Sequence, residues 1–497
     1  MIVSHRQQSA RPAELFVAFF ALCVVVLAQV IGTRCLDLFN HPLWLDETFT
    51  SRIANDPSFS HVITAVAGGV DTNPPTLYLA LWPIARVFGS LGNIELRVFA
   101  LLSMLAAMTG LYAICRRVFA RGPSAVAVLA VWAHPMIIEQ AFEARFYAPW
   151  LALTVWFCYL QMRADDDAIE PASRWIVRYV LGVLATSIHY FGVITMVMIA
   201  VTDFVVYRRF KRLMPALIGM LVVAACFPFV RGQRASLSIP TWIDPVNASE
   251  IKDALVSVFG APSIIFVLLF MWITTLLRRA EPVADQPNRN LRELLPISSL
   301  LAFPAAIVAF SVIVQPALVL RYLILAVAPL APMLAYLISR SGRGAIALAS
   351  VGLIAVGAVS IVGRSNLTRG LDREFENVIQ LIDQQVPADA LIVFKRRREM
   401  YPVLQIRPDL APRVAQLDFD DSVLGNVSRM SQYERDMGRK VQLVYPELRT
   451  TTTEELARVG KFYVITPIDE YRELQLQLPG FDVANPESVL HEVTAKR

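Results

Sequence analysis

Eleven apolar runs constrain this chain more than any other feature. They fall near residues 13–33, 98–115, 123–141, 147–162, 175–188, 191–207, 213–230, 255–277, 293–314, 322–338 and 344–363. Each is long enough, or nearly so, to cross a hydrocarbon core of about 30 Å at about 1.5 Å per helical residue. Composition agrees: 56% of the 497 residues are hydrophobic and 18% charged, with a mean hydropathy of +0.51. The reading is an all-α polytopic membrane domain of about eleven transmembrane helices. The first run follows a short Arg-containing start and lacks a small-x-small cleavage site before Asp46, so it reads as a retained anchor. The net charge of +5 resides mostly in short loops, which implies a topological role and no nucleic-acid partner. Cys23, Cys35, Cys115, Cys158 and Cys226 lie in or beside apolar runs without metal-ligand spacing, as small buried hydrophobes do. Arg far outnumbers Lys and Ala is abundant, as in proteins of GC-rich bacterial genomes.

Cationic clusters occur at "CRRVFARG" (115–122), "YRRFKR" (207–212), "LLRRAEPVADQPNRNLRE" (276–293) and "SRSGRG" (339–344), alternating with cation-poor loops. About eighteen Lys and Arg fall in one set of loops and about nine in the other, which places the N-terminus in the cytoplasm by the positive-inside rule. Residues 34–96 then form a long outer loop. Within it, "PPTLYLALWPIARVFGS" (74–90) is apolar but short and holds Pro83 and Arg86, so it is expected to be an interfacial helix rather than a span. The expected setting is the bacterial inner membrane, with residues 1–363 as the transmembrane domain and 364–497 as a periplasmic α/β domain. In that tail "LDREFENVIQLIDQQVP" reads as an amphipathic helix, and "DALIVF", "VQLVY" and "KFYVIT" read as short buried strands. It holds no cysteine, Gly-rich phosphate loop or His/Cys cluster, so its expected role is a lid or docking platform.

This topology gathers polar residues at the outer ends of the runs. They are Asp46, Glu47 and Asp71 in the first outer loop, Arg97, then Glu143, Arg145 and Tyr147, then His189 and Tyr190, then Arg321 and Tyr322. Charges at membrane depth cost about 2.5–3.5 kcal/mol each even on lenient insertion scales, so they are usually paired or used. The chemistry that needs such a set is sugar transfer from a lipid-linked phosphate to a hydroxyl. The hydroxyl loses a proton as it attacks, which calls for a carboxylate base. The leaving phosphate is weakly basic, so no protonated general acid is needed, unlike the carboxyl pair of glycoside hydrolases. Arg suits the phosphate because its planar fork binds two oxygens at once. Interfacial snorkelling is the simpler explanation of Arg97, Arg145 or Arg321 taken singly. Trp44, Trp82 and Tyr147 fit an aromatic belt or a groove for a prenyl chain. A lone His is a poor metal site, and no divalent metal is implied.

The stretches "WLDETFTSRIA", "DTNPPTLYLAL", "GNIELRVFALLSML", "EQAFEARFYAPWLAL", "TSIHYFGVIT" and "VLRYLILAVAPLAPML" occur in that order. Together they resemble the C-type membrane glycosyltransferases of family 39, which include protein O-mannosyltransferases and bacterial lipid A aminoarabinose transferases. The resemblance covers about residues 12–340 and extends loosely to the tail. It implies a GT-C-like fold, a polyprenyl-phosphate-sugar donor, inverting transfer on the extracytoplasmic face, and an acid pair in the first outer loop whose first member is the base. On this sequence that member is Asp46. Glu47, turned about 100° away on a helix, would support the loop or a neighbouring Arg. The family also carries an acid shortly before a Pro-Pro pair. Asp71, three residues before Pro74, follows the mannosyltransferase pattern, whereas the aminoarabinose transferases have Glu-Lys where this chain has Thr72-Asn73. His189 and Tyr190 match residues near the donor cavity, and Arg321, Arg145 and Arg97, in that order, are the candidates to meet the donor phosphate. Glu143 would pair with one of them.

A transporter or flippase of lipid-linked sugars is the alternative reading, but internal repeats and mid-membrane charges would then be expected. A structural protein with a periplasmic sensor tail would explain the tail and not the acids and arginines. The acceptor, whether glycan, lipid or protein, is not legible, nor is the sugar. Asn-x-Ser/Thr matches at Asn247, Asn366 and Asn426 fall on the expected outer side.

Overall fold

The structure is a computed structural model that describes residues 11–164, 171–235, 241, 243–277, 291–419, 427–444 and 449–496. Most of the basic stretch at 276–293, and Asn426, lie outside the described residues. The chain divides into two compact units. One comprises Met1–Phe39, Ile94–Ala225 and Pro245–Asn366, and the other Asn40–Asn93, Cys226–Asp244 and Leu367–Arg497.

The first unit is helical. Among the described residues, five helical stretches are long and apolar enough to cross a membrane: Pro12–Gly32, Asn93–Val118, Leu291–Ile313, Leu320–Ile338 and Arg343–Gln385. Counting each bent pair as one span raises the number to eight. In two of those pairs, Arg121–Trp132 with Pro135–Ala141 turns by 71° and Ala248–Phe259 with Pro262–Thr274 by 59°. A proline near the start of each second helix accounts for the break, since it lacks an N–H and crowds the turn before it. The other three expected spans are the 16-residue helices Tyr147–Met162, Ala172–Ser187 and Gly192–Tyr207. The last two meet in a tight tip: a Cβ at Gly192 would overlap the carbonyl oxygens of Ala185 and Thr186. Arg343–Gln385 runs for 43 residues as one helix, joining the eleventh apolar run to the amphipathic segment that the sequence reads as a separate element.

The second unit is built on a six-stranded sheet, β1 (Ile392–Phe394), β2 (Val414–Asp418), β3 (Thr450–Thr452), β4 (Lys461–Ile465), β5 (Phe481–Val483) and β6 (Leu490–Ala495), in the order β3-β2-β1-β4-β6-β5. β3, β2, β1 and β4 run parallel, and β6 and β5 add antiparallel at one edge. "DALIVF" and "KFYVIT" contain β1 and β4 as expected. "VQLVY" is a correction: through Val444 it closes the helix Arg429–Val444. Buried Ser431, Glu434, Met437 and Val441 recur at helical spacing, and a short apolar run by itself cannot report which period it belongs to.

Residues 40–93 contribute the helices Leu45–Asn55, Phe59–Gly68 and Thr76–Phe88 to the same unit. Phe49, Ile53, Val62, Val66 and Tyr78 share one core with Ile382, Ile392, Phe394, Val403 and Val414. The helix in "PPTLYLALWPIARVFGS" buries Leu77, Tyr78, Leu81 and Ala85 along one stripe, while Val87 and Phe88 are exposed. At 13 residues it falls well short of the roughly 20 needed to cross a bilayer.

Candidate active site

In the first unit the short connection Phe142–Phe146 links Pro135–Ala141 to Tyr147–Met162, and most of the charged candidates gather around it. Glu143 and Arg145 are each 4% exposed, and the Arg145 N–H donates to the Glu143 carbonyl at 2.7 Å. The Arg145 guanidinium lies 5.1 Å from the Phe146 ring centre. Phe146 in turn is 4.7 Å from His189. One turn further, Trp150 stacks on His189, ring centres 4.8 Å apart. Tyr322 is 5.1 Å from His189 and 6.2 Å from Tyr147, and Arg321 lies 5.9 Å from the Tyr147 ring centre. Arg145, Tyr147, His189, Arg321 and Tyr322 therefore form one cluster.

The tip that carries His189 sets its tautomer. Its Nδ1 accepts from the Phe191 N–H at 3.2 Å, which leaves the proton of the neutral ring on Nε2. Tyr190 is half-buried beside it, its carbonyl accepting the Val193 N–H at 3.3 Å. Arg97, 2% exposed, donates to the Phe39 carbonyl at 3.3 Å, and the Phe39 ring meets Phe142 edge-on at 5.4 Å. That contact connects Arg97 to the same segment. Beside Arg321, a cavity of ≈ 470 Å³ opens between Glu139, Met136, Val256 and Val319. Phe146, Trp150 and Phe191 complete the cluster and were not singled out from the sequence.

Asp46, Glu47 and Asp71 belong to the second unit. Asp46 is the second residue of Leu45–Asn55 and half-buried, where the helix N-terminus favours a carboxylate. Glu47 is 1% exposed and reaches back to accept the Trp44 N–H at 3.2 Å, the carboxylate half of a capping box. Gln405 clamps the strand of chain before it, accepting the Leu43 N–H at 2.9 Å and donating to the Leu43 carbonyl and the Thr48 hydroxyl, both at 3.0 Å. His41 is anchored to Asp372 at 2.6 Å. Asp71 is 5% exposed, accepting from the Tyr78 hydroxyl and from Asn73 at 2.6 Å. Gly69, at φ +84°, makes the left-handed turn that leads into this stretch. No group of three or more His, Cys, Asp or Glu among the described residues is placed to hold a metal ion.

Apolar spans and a C-terminal sheet domain make the fold GT-C-like. In sequence, the dolichyl-phosphate-mannose-protein mannosyltransferase family matches residues 72–231. In structure, ArnT from Cupriavidus metallidurans, solved with undecaprenyl phosphate bound, superposes with a TM-score of 0.59 at 12% identity, covering 97% of this chain and 98% of that one. Its apo state gives 0.58 at 11% identity, covering 95% and 98%. No curated protein sequence matches the chain. The family resemblance is thus borne out, in sequence over residues 72–231 and in fold along the chain.

Proposed function

We propose that this protein is an integral-membrane glycosyltransferase that moves a sugar from a polyprenyl-phosphate donor to an acceptor hydroxyl on the extracytoplasmic face of the bacterial inner membrane. The observation that carries this reading is the likeness to ArnT along nearly the whole of both chains, supported by the mannosyltransferase match over residues 72–231. The positive-inside distribution supports a cytoplasmic N-terminus and a periplasmic tail.

In the proposed reaction, the acceptor oxygen bonds to the anomeric carbon as the bond from that carbon to the phosphate oxygen breaks, with inversion. The acceptor proton passes to the Asp46 carboxylate, and the bonding pair leaves on the polyprenyl phosphate. Arg321 and Arg145 hold that phosphate, with Arg97 in reserve as a support for the 142–147 connection, and the charge growing on the leaving oxygen is met by guanidinium donors. A ring face orients a guanidinium without cancelling its charge, which fits Arg145 over Phe146 and Arg321 over Tyr147. Tyr147, His189, Tyr190 and Tyr322 line the donor side, Glu143 pairs with one of the arginines, Glu47 fixes the start of the helix that carries Asp46, and Asp71 binds hydroxyls of the acceptor or the sugar. The proposed setting is cell-envelope glycan or lipopolysaccharide modification, with a glycan, lipid or protein as acceptor.

Mass spectrometry of envelope glycolipids and glycans tests this in a deletion strain. One sugar modification is expected to disappear, to return with the wild-type gene, and to stay absent with Asp46→Asn. An unchanged envelope profile in the deletion strain would overturn the reading.

A further inference from the structure

The second unit contains a cavity that the sugar-transfer reading does not use. It has a volume of ≈ 830 Å³ and is walled by the helix portion Glu374–Leu381, the start of Arg397–Ile406, the chain leaving β4 and the turn entering β6. Its position follows from the sheet order. β1 leads to β2 on one side, while β4 pairs on the other side of β1, so the chain leaves the two adjacent parallel strands in opposite directions. In open α/β sheets the crevice beyond the carboxyl ends of such a strand pair is where ligands bind.

The lining has a definite chemical character. Glu374, Glu399, Asp469 and Glu487 contribute four carboxyl groups against the single cation Arg398, which lies 3.4 Å from Glu399. Two polar atoms at the cavity are buried without a hydrogen-bond partner among the described residues: Thr466 Oγ1 and Glu399 Oε2. Thr466 is 1% exposed, and a buried hydroxyl left unsatisfied is costly, so it points to a group supplied from outside. Burial lifts the Glu399 carboxyl to about 7, against Arg398 and Arg396, which pull it down, while Glu434 adds to the rise. An arriving cation would stabilise that buried carboxylate.

We infer that this cavity is a binding site for a small amine-bearing molecule whose ammonium group is held by Glu399 and Thr466. An ammonium brings a positive charge and three donors for such oxygens, which a phosphate or a carboxylate does not, and the acidic lining disfavours anions. The inference stands independently of the sugar-transfer reading.

Isothermal titration on the full-length protein in detergent tests it with ethanolamine, glucosamine and spermidine, each beside a neutral or anionic counterpart: ethylene glycol, glucose and inorganic phosphate. Saturable binding of at least one amine is expected, with its counterpart and phosphate binding at least tenfold more weakly. Glu399→Gln should weaken that amine at least tenfold and the near-isosteric Thr466→Val several-fold. Arg398→Ala, which removes the competing cation, should tighten it several-fold, and Asp383→Asn, outside the cavity, should change nothing. Thermal unfolding of each variant establishes that it is folded. Binding of none of the three amines, equal binding of glucose and glucosamine, preference for phosphate, or full affinity in folded Glu399→Gln would each overturn the inference.

Discussion

The two ends of the helices Tyr147–Met162 and Gly192–Tyr207 treat arginine differently. At the ends carrying Gln161 and Asp203, Arg212 is 1% exposed and Asp203 0%, and they are joined by two hydrogen bonds of 2.6 and 2.9 Å. Gln161 donates to Asp203 at 3.1 Å and accepts from Arg178, and Arg212 also lies over the Tyr207 ring at 3.8 Å. This is an arginine locked by a carboxylate of its own chain. At the opposite ends, Arg145 and Arg321 lie over Phe146 and Tyr147, within a ring of aromatics that includes His189 and Tyr322. The same residue type at the two ends of the same helices thus does two jobs. A carboxylate clamp defines the setting at one end, and an aromatic shelf is part of the setting at the other.

The contrast breaks first at the locked end. Asp203→Asn leaves a buried guanidinium without its counter-charge and should cost about 3–5 kcal/mol, read as a large drop in thermal unfolding temperature and in yield of folded protein from the membrane. Unchanged stability would show that the clamp is not structural. At the aromatic end, Arg321→Ala should leave the unfolding temperature closer to wild type but lower undecaprenyl phosphate affinity by about 10- to 100-fold, since a hydrogen bond to a charged group contributes about 1.5–3 kcal/mol. Native mass spectrometry of lipid retention reads this. A loss of stability as large as that in Asp203→Asn, with donor binding intact, would erase the difference between the two ends.

A smaller effect is expected in the second unit. Glu47→Gln keeps an acceptor for the Trp44 N–H, whereas Glu47→Ala removes it and should cost about 0.5–2 kcal/mol, the usual range for a lost helix cap. Activity should fall modestly in Glu47→Ala and recover in Glu47→Gln. Loss of activity in both variants would give Glu47 a chemical role beyond holding the helix start.

How much of this was legible in the sequence differs by feature. The apolar runs were, because hydrophobic length is a local signal, and each of the eleven coincides with helical structure. Arg145, His189 and Arg321 were legible as polar residues at the starts of such runs. Phe146 and Trp150 were not, since an aromatic at the head of an apolar helix looks the same whether it faces lipid or a histidine. The core shared by Phe49, Val62 and Tyr78 with Ile392 and Val414 joins segments more than 300 residues apart, and no local pattern announces such a partner. In the tail, "VQLVY" reads as a strand because a short apolar run carries too few residues to tell a helical period from a strand's.

The central claim is that one carboxylate takes the proton and the arginines hold the donor. The most direct measurement compares purified wild-type and Asp46→Asn protein in lipid bilayers, scoring both transfer from a polyprenyl-phosphate sugar and retention of undecaprenyl phosphate. Transfer should fall by about 100- to 10,000-fold, the usual contribution of general base catalysis, while lipid retention and unfolding temperature stay at wild-type values. Transfer by Asp46→Asn at the wild-type rate would contradict the account.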